Sequence, residues 1–136
     1  MAVSPDTPLT LPQVAEAAEV EYRTLHTWVK RGLLEPSFNV STGAGRPNLF
    51  SFQDALKARI LGHLRSAGID LEMLERTAHG LKQVSELGNE HTLLLNGSLH
   101  VLEGDADIDD EIKEKQPSLI YRVSWATEAL SKVSLN

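Results

Sequence analysis

Apolar residues near the start of the chain recur at the spacing of an amphipathic helix. Leu11 and Val14 are followed, one turn further on, by Ala17 and Ala18. Thr10 is a favourable N-cap residue, and the glutamine three positions later completes a capping box. A proline in the first turn suits a helix start. The pattern therefore predicts a first helix that begins directly after Thr10.

A second helix is predicted in the segment EYRTLHTWVKRG, after a break of only a few residues around positions 18–20. Leu25, Trp28 and Val29 stand at i, i+3 and i+4 and form one apolar stripe. Gly32 suits the end of this helix. Two short helices joined by such a tight turn predict a helix-turn-helix.

Residues 35–51 carry the signals of a β-hairpin. Two prolines, two glycines and Asn48 interrupt short β-prone pieces that contain Phe38, Val40, Leu49 and Phe50. We therefore expect two short strands around a glycine-rich tip, which is a wing.

Two further helices are predicted between residues 51 and 85. Ser51 and Asp54 form a second capping box, and Asp70 caps the fourth helix. The apolar positions that keep helical register are Phe52, Leu56, Ile60, Leu64 and Ala67 in the third helix, and Leu71, Leu74, Ala78 and Leu81 as the inner face of the fourth.

The pattern changes after about residue 86. The segment TLLLNGSLHVLEG places Asn-Gly between two apolar stretches, which predicts a hairpin. The acidic run DADIDDE lacks the spacing and the glycine of a calcium loop, so we interpret it as a solvated turn. SLIYRVSWATEALSKV fits a helix, although LIYRV alone has strand composition, and we favour a strand that runs into a helix.

Charge and composition narrow the possible functions. The 136 residues carry a net charge of −6 and no cysteine. Residues 1–70 hold seven cations and seven anions, whereas residues 71–136 hold six and twelve. A nucleic-acid-binding surface must therefore use locally placed cations of the first half. We expect no metal, no cofactor, no membrane association and a cytoplasmic location, because thiolate ligands, a spanning segment and a secretory signal are not recognisable.

The order helix, turn, helix, wing, helix, helix is similar to that of the MerR family of DNA-binding proteins. TLPQVAEAAEVEYRTLHTWVKRGLLEP resembles the family's helix-turn-helix, with Arg23-Thr24-Leu25 followed by a glycine and two leucines. LFSFQDALKARILGHLRSAGIDLEML resembles its next block. The family usually has glycine in the turn where this chain has Glu19, so a residue with a Cβ must adopt that bend. The resemblance covers residues 9 to about 80 and not the C-terminal half.

The resemblance implies a recognition helix that enters the major groove of DNA. If Leu25 and Trp28 face the core, helical geometry turns the polar residues outward. Arg23 suits base contact and Lys30 suits the phosphate backbone, while Arg46 in the wing suits the minor groove or a phosphate. The predicted DNA-binding residues are Tyr22, Arg23, Thr24, His26, Thr27, Lys30 and Arg46.

These observations predict a mainly α fold with a small β part, a winged helix-turn-helix followed by a short α/β appendage that contains a β-hairpin. The predicted divisions are a disordered lead-in over residues 1–8, a DNA-binding domain over 9–85, and an acidic dimerisation or partner-binding segment over 86–136.

The leading functional prediction is a sequence-specific DNA-binding transcriptional regulator that acts as a homodimer on a two-fold related site. Residues 92–133 would then supply an interface through an edge strand or an amphipathic helix. One alternative is an antitoxin whose acidic C-terminal segment neutralises a toxin, and another is a DNA-binding factor of a phage or mobile element. An enzyme is not expected, because nucleophile motifs, phosphate-binding loops and hydrolytic carboxylate pairs are not recognisable.

Overall fold

The computed structural model describes residue 3 and residues 6–38, 49–104 and 117–135. Over these ranges the chain forms helices and strands in a simple order. The elements are α1 (Leu11–Ala18), α2 (Tyr22–Lys30), α3 (Phe52–Ser66), α4 (Leu71–Lys82), β1 (His91–Leu95), β2 (Leu99–Glu103), β3 (Leu119–Arg122) and α5 (Val123–Ser131).

The predicted helix starts are confirmed by their capping hydrogen bonds. The Thr10 hydroxyl accepts from the Gln13 amide, and the Gln13 side chain accepts from the Thr10 amide at 2.9 Å. Ser51 and Asp54 make the same reciprocal pair at the start of α3. Asp70 accepts from the Met73 amide at the start of α4. Each cap satisfies amides that have no partner inside the helix.

The turn between α1 and α2 bends at Glu19, as the sequence predicts. Glu19 has φ 54° and ψ 44°, the left-handed conformation that glycine adopts most readily. Its amide and that of Val20 donate to carbonyls of the last turn of α1. This bend directs the chain into α2, which packs against α1.

The ends of the predicted wing lie together. Phe38 and Leu49 exchange two backbone hydrogen bonds in an antiparallel bridge, and Phe50 pairs in the same way with Leu9. The residues of the predicted tip, Arg46 included, lie outside the described ranges.

Helix α3 is the centre of the fold. It packs against α1, α4 and α5, and eight of its fifteen residues are buried. The sequence predicts one apolar stripe on this helix, but Ala55, Ala58 and Leu61 are buried on other sides as well. Gly62 allows the close approach of the turn after α1, because a Cβ at this position would lie 2.9 Å from Cγ2 of Val20.

The predicted inner face of α4 is confirmed for three residues and wrong for Leu71. Leu74, Ala78 and Leu81 are at most 2% exposed, whereas Leu71 is 45% exposed. Leu71 shares their side of the helix but lies in the first turn, beside a groove against α2, where no described residue covers it.

The predicted Asn-Gly hairpin is confirmed. Strands β1 and β2 pair antiparallel with Leu95 opposite Leu99, and Gly97 in the loop has φ 102°. Strand β3 pairs with the other edge of β1, so the sheet order is β2-β1-β3. The prediction of a strand that runs into a helix is also confirmed, because α5 begins directly after β3. The acidic run from residue 105 lies outside the described ranges.

The sheet and the helices share one apolar core. Leu93 of β1, Val123 and Leu130 belong to the same buried cluster as the helix-turn-helix. The predicted fold class, mainly α with a small β part, is confirmed. No described helix is both long and apolar enough to cross a membrane.

A series of hydrogen-bonded side chains also links helix α3 to strand β3 of the sheet. Nε of Arg59 donates to Nε2 of His63 at 3.1 Å, and Nδ1 of His63 lies 2.5 Å from the Tyr121 hydroxyl. Burial, and to a smaller extent the Arg59 charge, lower the pKa of His63 below its ordinary value of 6.5, which the Glu19 carboxylate partly opposes. Burial raises the pKa of Tyr121. Burial and the Arg59 charge thus favour the neutral form of His63.

We expect Gly62→Ala to destabilise the protein by about 1–3 kcal/mol despite the better helix propensity of alanine, because its Cβ overlaps Val20. Urea unfolding measures the loss. In a Val20→Ala background the same change should cost clearly less. An equal cost in both backgrounds would contradict the close contact.

We expect the free energy of unfolding to fall as the pH is lowered from about 7 to about 5, partly through His63. The unfolded chain binds a proton at a pKa near 6.5, whereas the folded chain binds it only at lower pH. The stabilisation is thus complete above pH 6.5 and is lost as the pH falls toward the folded-state pKa. His63→Gln, which keeps one acceptor and one donor without titrating, should show a shallower loss. Identical pH profiles of the two proteins would contradict a depressed pKa.

Candidate nucleic-acid interface

Helix α2 buries one side and exposes the other, as the spacing of its residues predicts. Leu25 is fully buried and Trp28 is 3% exposed, so the tryptophan belongs to the core. The predicted contact residues on the opposite side are exposed. They are Arg23, His26, Thr27 and Lys30, together with Tyr22 at 52% exposure.

Contacts within α2 order part of this exposed face. The rings of Tyr22 and His26 stack with centroids 6.0 Å apart, which holds two aromatic groups side by side. The hydroxyl of Thr27 donates to the carbonyl of Arg23 at 3.0 Å. The hydroxyl hydrogen of Thr27 is therefore already used. Its oxygen can still accept a hydrogen bond, and its methyl group can make an apolar contact.

Thr24 is half-buried and lines a groove of about 400 Å³ between α2 and the junction of α3 with α4. The floor of this groove is apolar, with Trp28, Ile69 and Leu74. Its rim carries three guanidinium groups, which belong to Arg23, Arg31 and Arg65. We call this feature the arginine-rimmed groove.

The three arginines differ in their ion pairs. Arg31 binds the carboxylate of Glu75 at 2.9 Å, which offsets its charge and ties α2 to α4. Within the described ranges Arg23 and Arg65 form no such pair. Both side chains are exposed. The net positive charge of the groove therefore resides mainly on these two residues, one from the recognition helix and one from the end of α3.

Sequence reasoning missed Arg65 and Arg31. Arg31 follows α2 directly. Its position next to Lys30 in the sequence indicates that both cations lie at the C-terminal end of this helix. Arg65 is 42 positions from Arg23 along the chain, and no local pattern indicates that the last turn of α3 lies beside α2. Arg46, the remaining predicted contact, lies outside the described ranges.

The histidines outside α2 are exposed or make hydrogen bonds within the protein. His63 bonds to Tyr121 and Arg59, His91 accepts from the Gly88 amide at 2.9 Å, and His79 is exposed. Among the described residues no group of three or more histidine and carboxylate side chains is placed to hold a metal ion.

Comparisons with known proteins agree with this geometry. The family described as MerR HTH family regulatory protein matches residues 9–81, slightly more than half of the chain. Uncharacterized HTH-type transcriptional regulators of Mycobacterium tuberculosis and Mycobacterium bovis are 32% identical over 80 residues. The match covers 57% of this chain and 36% of the relatives, so it spans about a third of their length. The chain belongs to the MerR family of helix-turn-helix regulatory proteins.

Proposed function

We propose that this protein is a sequence-specific DNA-binding transcriptional regulator. The observation that carries the proposal is the exposed polar face of α2, with Arg23 between this face and the arginine-rimmed groove. A helix that buries one apolar stripe and presents arginine, histidine and threonine on the other side matches the recognition helix of a helix-turn-helix.

The positions of the cations suggest two kinds of DNA contact. Arg23 lies in the first turn of α2, where a recognition helix meets base edges, and arginine can donate two hydrogen bonds to a guanine. Lys30 at the other end and Arg65 outside the helix suit phosphates, which fix the position of the protein without reading the sequence.

We further propose that the protein acts as a homodimer on a two-fold related site. One such module contacts few base pairs, and a second copy would supply the second half-site. The C-terminal half leaves room for such an interface. Strand β3 has one neighbour in the sheet, and Ile120 on this strand and Trp125 on α5 are 37% and 47% exposed.

The packing of the C-terminal half favours a regulator over an antitoxin with a free toxin-binding tail. Strand β1 and helix α5 are joined to α3 through buried residues, with Val123 and Ala126 fully buried. The described part of this half is therefore an integral part of the folded core. We propose no catalytic role.

Selection of bound DNA from a random pool by the full chain tests the function. A regulator that binds as a dimer should enrich an inverted repeat whose half-sites are separated by roughly 34–36 Å, about one helical turn. Sedimentation equilibrium should give a dimer. A pool without an enriched motif would contradict sequence-specific binding, and a single half-site bound by a monomer would contradict the dimer.

We expect Arg23→Ala to weaken binding to the selected site by about 1–3 kcal/mol and to relax its sequence preference, because a base contact is lost. Fluorescence anisotropy with matched and mismatched duplexes measures both effects. Arg76→Ala is the matched control, since it removes an exposed arginine that pairs with Glu72 and bonds to the hairpin loop. An equal loss in both variants would contradict a specific role of Arg23.

We expect Arg65→Ala to weaken binding to all sequences alike. Loss of one phosphate contact should reduce the slope of log affinity against log salt by about 0.9. Titrations at several salt concentrations measure this slope. A change of sequence preference, or an unchanged slope, would contradict the assignment of Arg65 to the phosphate backbone.

A further inference from the structure

We propose that Arg59, His63 and Tyr121 are positioning residues for DNA binding, which couple strand β3 to the turn that orients the recognition helix. This inference rests on the proposed function. It concerns residues that do not reach DNA themselves but hold the turn between α1 and α2.

The turn needs support from outside its own helix. Glu19 is the one non-glycine residue with a positive φ in the described ranges, a conformation that costs free energy for a residue with a Cβ. The last turn of α1 carries no basic residue to interact with its carbonyl groups. The negative end of the α1 dipole is therefore not compensated within α1.

Arg59 of α3 supplies the missing cation. Its Nη1 atom lies 3.5 Å from the carbonyl oxygen of Ala17 and 3.2 Å from Oε2 of Glu19. One guanidinium thus binds both the end of the helix and the left-handed residue that follows it. Arg59 is only 8% exposed, so its charge depends on these partners.

His63 fixes the orientation of that guanidinium. Arginine has only donors, so Nε of Arg59 requires an acceptor, and Nε2 of His63 provides it at 3.1 Å. The proton of the neutral imidazole is then on Nδ1 and is donated to the Tyr121 hydroxyl. The bonding pattern therefore selects one tautomer, and the arginine, imidazole and phenol have one consistent arrangement.

Tyr121 anchors this chain of hydrogen bonds in the C-terminal half. It lies in β3, is 5% exposed, and packs edge-on against Trp125 with ring centroids 5.3 Å apart. Strand β3 in turn pairs with β1. A displacement of β3 would move the phenol and release His63. Arg59 would then be held less firmly at Glu19, three residues before α2 begins.

Helix α2 depends on the turn for its direction. Hydrogen bonds to base edges require side chains placed within small distances. A less ordered turn at Glu19 therefore lowers the affinity of α2 for DNA even if the protein stays folded. The coupling is a property of two distant parts of the chain, since 62 positions separate Arg59 from Tyr121. The C-terminal half thereby gains influence over DNA binding without touching DNA.

The test uses the full chain and the variants Tyr121→Phe, His63→Leu and His63→Gln. Two readouts are the exchange rates of the Glu19 and Val20 amides, which bond to α1 carbonyls, and the affinity for the selected DNA site. Thr77→Val is the matched control. It removes a buried hydroxyl whose hydrogen bond, to the Met73 carbonyl, stays within α4.

We expect Tyr121→Phe and His63→Leu to accelerate exchange at the turn and to lower specific affinity about three- to tenfold, within the range of measured couplings. His63→Gln should restore both, because its amide accepts from Arg59 and donates to Tyr121. Thr77→Val should change neither when conditions are adjusted to equal global stability.

Two results would overturn the proposal. Unchanged exchange of the Val20 amide in Tyr121→Phe would show that the hydrogen bonds do not hold the turn. Faster exchange with wild-type affinity would show that the turn does not limit DNA binding. A wild-type chain that selects no DNA sequence would instead overturn the proposed function, and the exchange rates would still decide whether the chain of bonds holds the turn.

Discussion

The fold depends on the burial of α3 from several sides. Eight of its fifteen residues are buried, and three other helices pack against it. α1 covers the side that carries Gly62, α4 covers a second side, and α5 covers a third. Because one helix is shared, the helix-turn-helix and the C-terminal sheet cannot pack independently of each other. A change in α3 must therefore affect both the recognition helix and the sheet.

The same helix supplies one residue to the arginine-rimmed groove and two to the hydrogen bonds behind the turn before α2. Arg65 in its last turn lines the arginine-rimmed groove, and Arg59 contacts Ala17 and Glu19 at the turn before α2. His63 lies between them and meets the C-terminal half through Tyr121. The candidate interface is consequently a composite of α2 and the end of α3. Its described residues lie on packed helices, which is the arrangement that precise contacts require.

The pattern of ion pairs among the described residues decides which arginines beside the helix-turn-helix remain unpaired. Glu19 is paired with Arg59, Glu35 with Lys82, and Glu75 with Arg31. These pairs engage carboxylates on or near the helix-turn-helix. Arg23 and Arg65 make no such pair with the described residues and retain their charge for an anion. Local placement of charge, and not the total, decides where phosphate can bind.

The sequence by itself determined the features that depend on neighbouring residues. The capping boxes at Thr10 and Ser51 and the Asn-Gly hairpin follow from contacts within a few positions, so the local pattern is sufficient. The bend at Glu19 was expected from the resemblance to the MerR family. The buried and exposed sides of α2 were also predicted, because helical geometry links the apolar stripe to the polar face.

Only the tertiary structure decided which distant residues meet. Leu71 fits the apolar pattern of α4 but lies beside the groove and is exposed. The spacing of residues within α4 does not show which of its turns a neighbouring helix covers. Arg65 beside Arg23, and Tyr121 beside His63, are brought together by the packing of α2 and β3 around α3. Such contacts depend on the positions of whole elements in space, and no spacing within one segment encodes them.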